Sequence, residues 1–365
     1  MKKRHIGGCV EKRRGVRYNA DLSEELEEKS DVLFTGKARY GRMRKGLRGI
    51  AFVMALILAL CCTVSALGEG QKYQIEENTG DNQKNYPYKV VTESAVLYLG
   101  KEDIELLGEE AFYDGMYKLL ENMDRDFAEA REVMKGFLKD EVAPISIYTD
   151  FIGRAEEAQF YSGYYYGPEK GIRLFHNWEQ GASILLHEYT HYLTYGCATV
   201  EVTAGAWGEC IAEYVSKIAC RNYTARAWHY GLMEEEKTVF AANGWVDEEG
   251  YPDYRVYYHG VAWMFGQPFA IDTRYLAVCD NMMTMTKEQQ EHPMLNSISD
   301  LEGGCFMEFL VEHYGKDLVF THLNIDGKGI RETYGKSFED LFTEWKQENE
   351  KQCEEWGVTA LANGK

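Results

Sequence analysis

The strongest constraint on this chain is the stretch Ser183–Tyr195, S-I-L-L-H-E-Y-T-H-Y-L-T-Y, which sets His187, Glu188 and His191 among apolar residues. Read as a helix, it places His187 and His191 one turn apart, leaving from the same face. Two neutral imidazoles at that spacing chelate one zinc ion, and Glu188 beside them is a candidate general base. By composition the five-residue pattern arises by chance in roughly 1 in 100 chains of this length. A helix with two hydrogen-bonded histidines therefore stays open until the neighbours are read.

A catalytic zinc needs a third protein ligand and an open position. One common class has Gly three residues and a third His six residues after the second histidine. Those positions are Thr194 and Cys197 here, which excludes that class, and Cys197 lies on the same helical run. A second helix predicted over Ala206–Ala219 offers Glu209 and Glu213, one turn apart and away from Ile211, Val215 and Ile218. Such a pair divides the work, one carboxylate binding metal and the other accepting the N–H of a ligating imidazole. The competing reading is a solvated acidic face.

H-E-Y-T-H at 187–191 followed by W-G-E-C-I-A-E-Y at 207–214 resembles the gluzincin metallopeptidases, more narrowly the peptidase MA-like group of extracytoplasmic bacterial proteins. The similarity extends to C-F-M-E-F-L-V-E-H-Y-G-K-D at 305–317, to Y-G-K-S-F-E-D-L-F-T-E-W at 334–345, and upstream to Gly163–Phe175. It covers roughly residues 140–350. The resemblance implies His187, His191 and Glu209 as zinc ligands, Glu188 as base and Glu213 beside the ligand shell. It also implies a Tyr or His downstream that donates to the transition state, for which Tyr257, Tyr258 and His259 are candidates and His229 a weaker one. The chain departs from the family pattern in two places. One residue, Gly208, separates Trp207 from Glu209 where the family has two, and Cys210 stands where it has Gly.

The remaining chain sets the context. Residues 1–48 hold 14 Lys and Arg against 7 Asp and Glu, a basic cytoplasmic tail or an over-extended start ahead of Met43. Residues 49–67 carry no charge and are just long enough to span a bilayer. The basic residues before them and the acidic ones after orient the N-terminus inward. This segment is either a membrane anchor or, with Val64-Ser65-Ala66 as cleavage site, a signal peptide. Either way the remainder lies outside the cytoplasm, secreted or membrane-anchored. Beyond residue 48 the chain has 26 basic and 52 acidic residues, which argues against a nucleic-acid partner. Six of nine cysteines follow the apolar segment without a C-x-x-C pair, so disulfides are permitted and not required.

Residues 68–87 read as a polar linker and 88–365 as one metallopeptidase-like domain. Within it, Val90–Leu99 and Ile145–Tyr148 read as strands, and Glu109–Leu138 as a long amphipathic helix. Phe160–Tyr166 and Gly171–Phe175 form a hairpin, with Gly171–Phe175 as an edge strand able to pair with extended substrate. Helices follow at Gly304–Tyr314 and, behind the capping box Ser337–Asp340, through Trp345. The expected fold is α+β and zincin-like: a small mixed sheet beside the His-Glu-x-x-His helix, with a mainly helical C-terminal lobe. The expected function is a zinc-dependent hydrolase of peptide or protein substrates. A cell-surface binding protein on the same metal-loaded scaffold is the alternative.

Overall fold

The computed structural model describes residues 72–152, 162–200, 206–228, 241–246, 295–323 and 327–357, with isolated positions between 202 and 259. All of them belong to one compact unit, Lys72–Lys365. The basic N-terminal segment and the apolar stretch 49–67 lie outside the described residues. Among the described residues, no helix is long and apolar enough to cross a membrane.

Six strands form one mixed sheet: β1 (Ile75–Glu77), β2 (Tyr88–Val91), β3 (Ala95–Leu99), β4 (Ile145–Thr149), β5 (Gly163–Tyr166) and β6 (Gly171–Leu174). The order is β1-β2-β3-β4-β6-β5. Strands β3, β4 and β6 run parallel in the middle, with antiparallel hairpins on both flanks. Alternation decides the faces. Ala95, Leu97 and Leu99 on β3, with Ile145 and Ile147 on β4, are buried, while Val96, Tyr98 and Tyr148 are only half-buried.

Parallel pairing of β3 with β4 demands a crossover, supplied by α1 (Lys101–Leu107) and α2 (Glu109–Val133). Phe112, Met116, Leu119, Leu120, Met123, Phe127 and Ala130 form the buried stripe of α2, the spacing expected of an amphipathic helix. The helix ends at Val133, short of Leu138, because the chain turns through Gly136 at φ 88° and Leu138 bridges Ala198.

Two expectations are corrected here. Residues 72–87 are not a linker: β1 pairs with β2, Tyr73 donates to the Leu120 carbonyl, and buried Asn78 donates to the Tyr86 carbonyl. Side-chain hydrogen bonds hold this segment, so apolar periodicity does not reveal it. The single strand expected over Val90–Leu99 is a hairpin. Thr92 Oγ1 accepts the N–H of Ala95 at 3.1 Å and donates to Asp124 at 2.8 Å, closing a turn between β2 and β3.

Beyond the sheet come α3 (Trp178–Tyr192), α4 (Ala206–Glu213), α5 (Tyr223–Ala227), α6 (Leu295–Tyr314), α7 (Lys316–Thr321), α8 (Gly327–Tyr334) and α9 (Phe338–Trp356). Gly315, at φ 86°, stops α6. The capping box of Ser337 and Asp340 opens α9, which runs to Trp356 and not only to Trp345. Its buried stripe continues past Trp345 through Asn349 and Cys353, which do not stand out as an apolar pattern. Phe306 of α6 meets Phe338, Phe342 and Trp345 of α9 edge-on, making the core of the helical lobe. The architecture is α+β with a mixed sheet and a helical C-terminal part. Cys197, Cys210, Cys220, Cys305 and Cys353 are buried thiols, none of them in a disulfide.

Candidate metal centre

Helix α3 runs through the middle of the core, and nearly every residue from Trp178 to Tyr192 is buried. Asn177 caps it, its side chain accepting the Gln180 N–H at 2.9 Å. Trp178 packs on Phe112 and Phe151. Tyr189 stacks face to face on Phe127 of α2, centroids 3.6 Å apart, and Arg131 donates to its hydroxyl. These contacts fix one side of α3 and leave His187, Glu188 and His191 on the other.

Helix α4 meets that side. His187 Nε2 and His191 Nε2 are 3.0 Å apart, and Glu209 Oε2 lies 3.2 Å from the first and 3.4 Å from the second. Tetrahedral zinc with bonds of 2.0–2.1 Å sets its ligand atoms about 3.3 Å apart. The triangle fits that spacing, and this His-His-Glu group can hold a metal ion. Glu213, one turn on, puts Oε1 3.0 Å from His187 Nδ1, the outer nitrogen. The two candidate carboxylates are thus told apart: Glu209 reaches the inner nitrogens and Glu213 supports a ring from behind. Gly304 of α6 lets that helix close over Glu213, since a Cβ there would lie 2.9 Å from the Glu213 Cβ.

The charge balance follows from burial. Removal from water alone would lower the His187 pKa, but the Glu209 and Glu213 carboxylates hold it well above the ordinary imidazole value. Burial opposes ionisation of Glu209 and Glu213 as well, yet the imidazoles beside them keep both carboxyls below their usual range. Such a donor set favours positive charge at its centre. Lys217, on the turn after α4, donates to the Ser183 carbonyl at 3.0 Å and ties the two ligand helices together.

Glu188 is buried, and burial pushes its carboxyl pKa up, partly offset by the two imidazoles. Its Oε2 accepts the backbone N–H of Tyr165 at 2.6 Å. Tyr165 belongs to β5, and β5, not β6, is the edge of the sheet among the described residues. The expectation of Gly171–Phe175 as edge strand fails because β6 pairs with β4 on one side and β5 on the other. Ser162 pairs through its carbonyl with Phe175, so alternation turns the N–H of Tyr165 outward, toward Glu188. The Glu209 side chain is 35% exposed, whereas those of His187 and His191 are 7% and 8% exposed, so solvent reaches the group from the Glu209 side.

Both ligand helices end in a wider, π-helical turn, Leu193–Cys197 after α3 and Tyr214–Ala219 after α4. Hydroxyls prepare each: Thr190 donates to the Leu186 carbonyl, Thr194 to Thr190 and Ser216 to Ala212. Such back-bonding competes with the helical ladder and loosens it. Cys197 ends the first of these turns, buried, and is not among the grouped donors.

Of the candidate transition-state donors, His229, Tyr257 and Tyr258 lie outside the described residues. His259 is held between α6 and α9. It is buried, with Nδ1 2.5 Å from Asn349 Oδ1 and Nε2 2.5 Å from Glu308 Oε2. Both nitrogens are engaged between α6 and α9, which leaves neither for an oxyanion. The contacts of Tyr165, Tyr195 and Lys217 were not anticipated. Tyr195, four residues past His191, and Lys217, four past Glu213, are at spacings that a helix brings together. No protein-family model matches this chain, and no curated protein matches it significantly.

Proposed function

We propose that this chain is an extracytoplasmic, zinc-dependent peptide-bond hydrolase of the gluzincin type. The observation that carries the reading is the convergence of His187 Nε2, His191 Nε2 and Glu209 Oε2, with the buried Glu188 beside them. Zinc is the metal chosen, because two imidazoles and one carboxylate at tetrahedral spacing are its usual catalytic donor set. When bound, it supplies a polarised substrate carbonyl and a water acidic near neutral pH. Glu188, buried beside the group, would be the proton acceptor for the attacking water. Its Oε2 is held by the Tyr165 N–H, so the other oxygen is the one to accept, and the proton passes on to the leaving amine. The outer side of β5 runs beside this carboxylate, and an extended peptide backbone adding to that edge would be bound with little regard to sequence. Glu213 stands 3.0 Å from His187 Nδ1, where it would accept that N–H once Nε2 is given to a metal.

The test compares wild type with Glu188→Gln on the 68–365 fragment. Glu188→Gln should bind zinc at wild-type stoichiometry and lose hydrolysis of a peptide library. Activity retained by the variant would sink the mechanism. The competing reading is a metal-loaded binding protein, favoured by His259 being engaged on both nitrogens and by the bulk of buried Cys210 next to Glu209. Zinc bound one to one, with no chelator-sensitive cleavage by wild type, would select it.

A further inference from the structure

The two histidines of the metal centre are held by different means. His187 Nδ1 faces Glu213, as a ligating imidazole normally faces an acceptor with its outer nitrogen. Neither Nδ1 makes a well-formed hydrogen bond among the described residues, but His187 Nδ1 has the Glu213 carboxylate 3.0 Å away, whereas buried His191 Nδ1 has no carboxylate at ion-pair distance among them. What His191 has instead is Tyr195, whose ring stacks on it with centroids 5.3 Å apart and planes 7° apart. The far end of the same ring reaches α4. A Cβ on Gly208 would overlap Tyr195 Oη and lie 2.8 Å from its Cζ. Gly208 immediately precedes Glu209. One side chain therefore spans from the ring of one candidate ligand to the backbone beside another.

We propose that Tyr195 is a positioning residue of the metal centre: it sets the plane of His191 and its separation from Glu209. Gly208 is glycine because the Tyr195 hydroxyl fills the space a side chain would need. The ring cannot retreat from a larger residue at 208 without giving up its stack on His191. The wide turn Leu193–Cys197 carries Tyr195 and is prepared by the Thr190 and Thr194 hydroxyls described above. This proposal rests on the metal-centre reading of His187, His191 and Glu209.

The test is a double-mutant cycle on zinc affinity, measured by chelator competition, with the visible spectrum of the cobalt-substituted protein as a second readout. Gly208→Ala should weaken zinc binding tenfold or more, and Tyr195→Leu should do the same and alter the cobalt bands. The double variant should bind no more weakly than Tyr195→Leu alone, because the alanine methyl then enters vacated space. Tyr195→Phe keeps the stack and should stay within threefold of wild type. That variant, set against Tyr195→Leu, also serves if Gly208→Ala fails to fold. Equal losses from Gly208→Ala in both backgrounds, or a Tyr195→Leu protein with wild-type affinity, would overturn the proposal and leave the metal reading standing. A folded wild type that takes up no zinc or cobalt would instead end the metal reading, and this proposal with it.

Discussion

Replacing Glu213 by alanine isolates the support behind one ligand without touching the ligand set. Glu213 Oε1 lies 3.0 Å from His187 Nδ1, and both groups are buried. The variant leaves the Nδ1–H of a ligating His187 facing no acceptor, at a cost of about 1–3 kcal/mol. That matches the ~10- to 100-fold loss in metal affinity usual when an imidazole loses its outer partner. Unfolding with and without zinc reads the change directly. At free zinc 100 times the wild-type Kd, binding adds ~2.7 kcal/mol of stability. A 10-fold weaker variant gains ~1.4 kcal/mol at the same zinc and a 100-fold weaker one ~0.4 kcal/mol. Glu213→Gln retains an acceptor and should fall between alanine and wild type. Any effect on the metal-free fold cancels in the comparison. A folded Glu213→Ala protein whose zinc-dependent gain equals that of wild type would refute the assignment of Glu213 as the partner of His187.

Two further outcomes test the scaffold. Gly115 in α2 sits against Trp178, the first residue of α3, and a Cβ there would overlap Trp178 Cδ1 and lie 2.7 Å from Cγ. Gly115→Ala should therefore destabilise the metal-free protein by about 1–3 kcal/mol despite the better helix propensity of alanine, as read by denaturant unfolding. Asp126 accepts the N–H groups of Tyr223 and Thr224 at 2.7 Å, and burial pushes its carboxyl up from 3.8 to about 6. Between those values the folded protein holds a proton that the unfolded chain has released. The contribution of this group is therefore full below about pH 4 and is lost as pH rises toward 6, a swing of about 3 kcal/mol. Asp126→Asn should flatten that part of the wild-type pH–stability profile. A profile unchanged by the substitution would contradict the burial argument.

Local pattern carried much of the architecture. The β5–β6 hairpin, the buried stripe of α2, the capping box of Ser337 and the helix that ends at Gly315 each follow from residues close in sequence. Where polar side chains hold the backbone, the pattern misled. Asn78 ties down the chain ahead of β2, Thr92 folds one expected strand into two, and buried Asn349 carries the buried face of α9 on past Trp345. His259 is a candidate donor only through the resemblance, and both its nitrogens are engaged by Asn349 and Glu308, residues far along the chain.

For the site, the amino-acid sequence by itself determined that His187, Glu188 and His191 share one turn of one helix, because a spacing of four is a property of the helix alone. It also put Glu209 and Glu213 together on a second helix. Helical spacing left those two carboxylates equivalent and only the resemblance ranked them; the tertiary structure puts Glu209 at the inner nitrogens and Glu213 behind His187. It also decided that the free sheet edge is β5, with the Tyr165 N–H on Glu188, and that Tyr195 lies between His191 and Gly208. The reason is physical. Periodicity fixes which way a side chain leaves its own helix, whereas the distance between helices is set by what packs where they cross. Here those contacts are Gly304 against Glu213, Lys217 on the Ser183 carbonyl and the Tyr195 ring against Gly208.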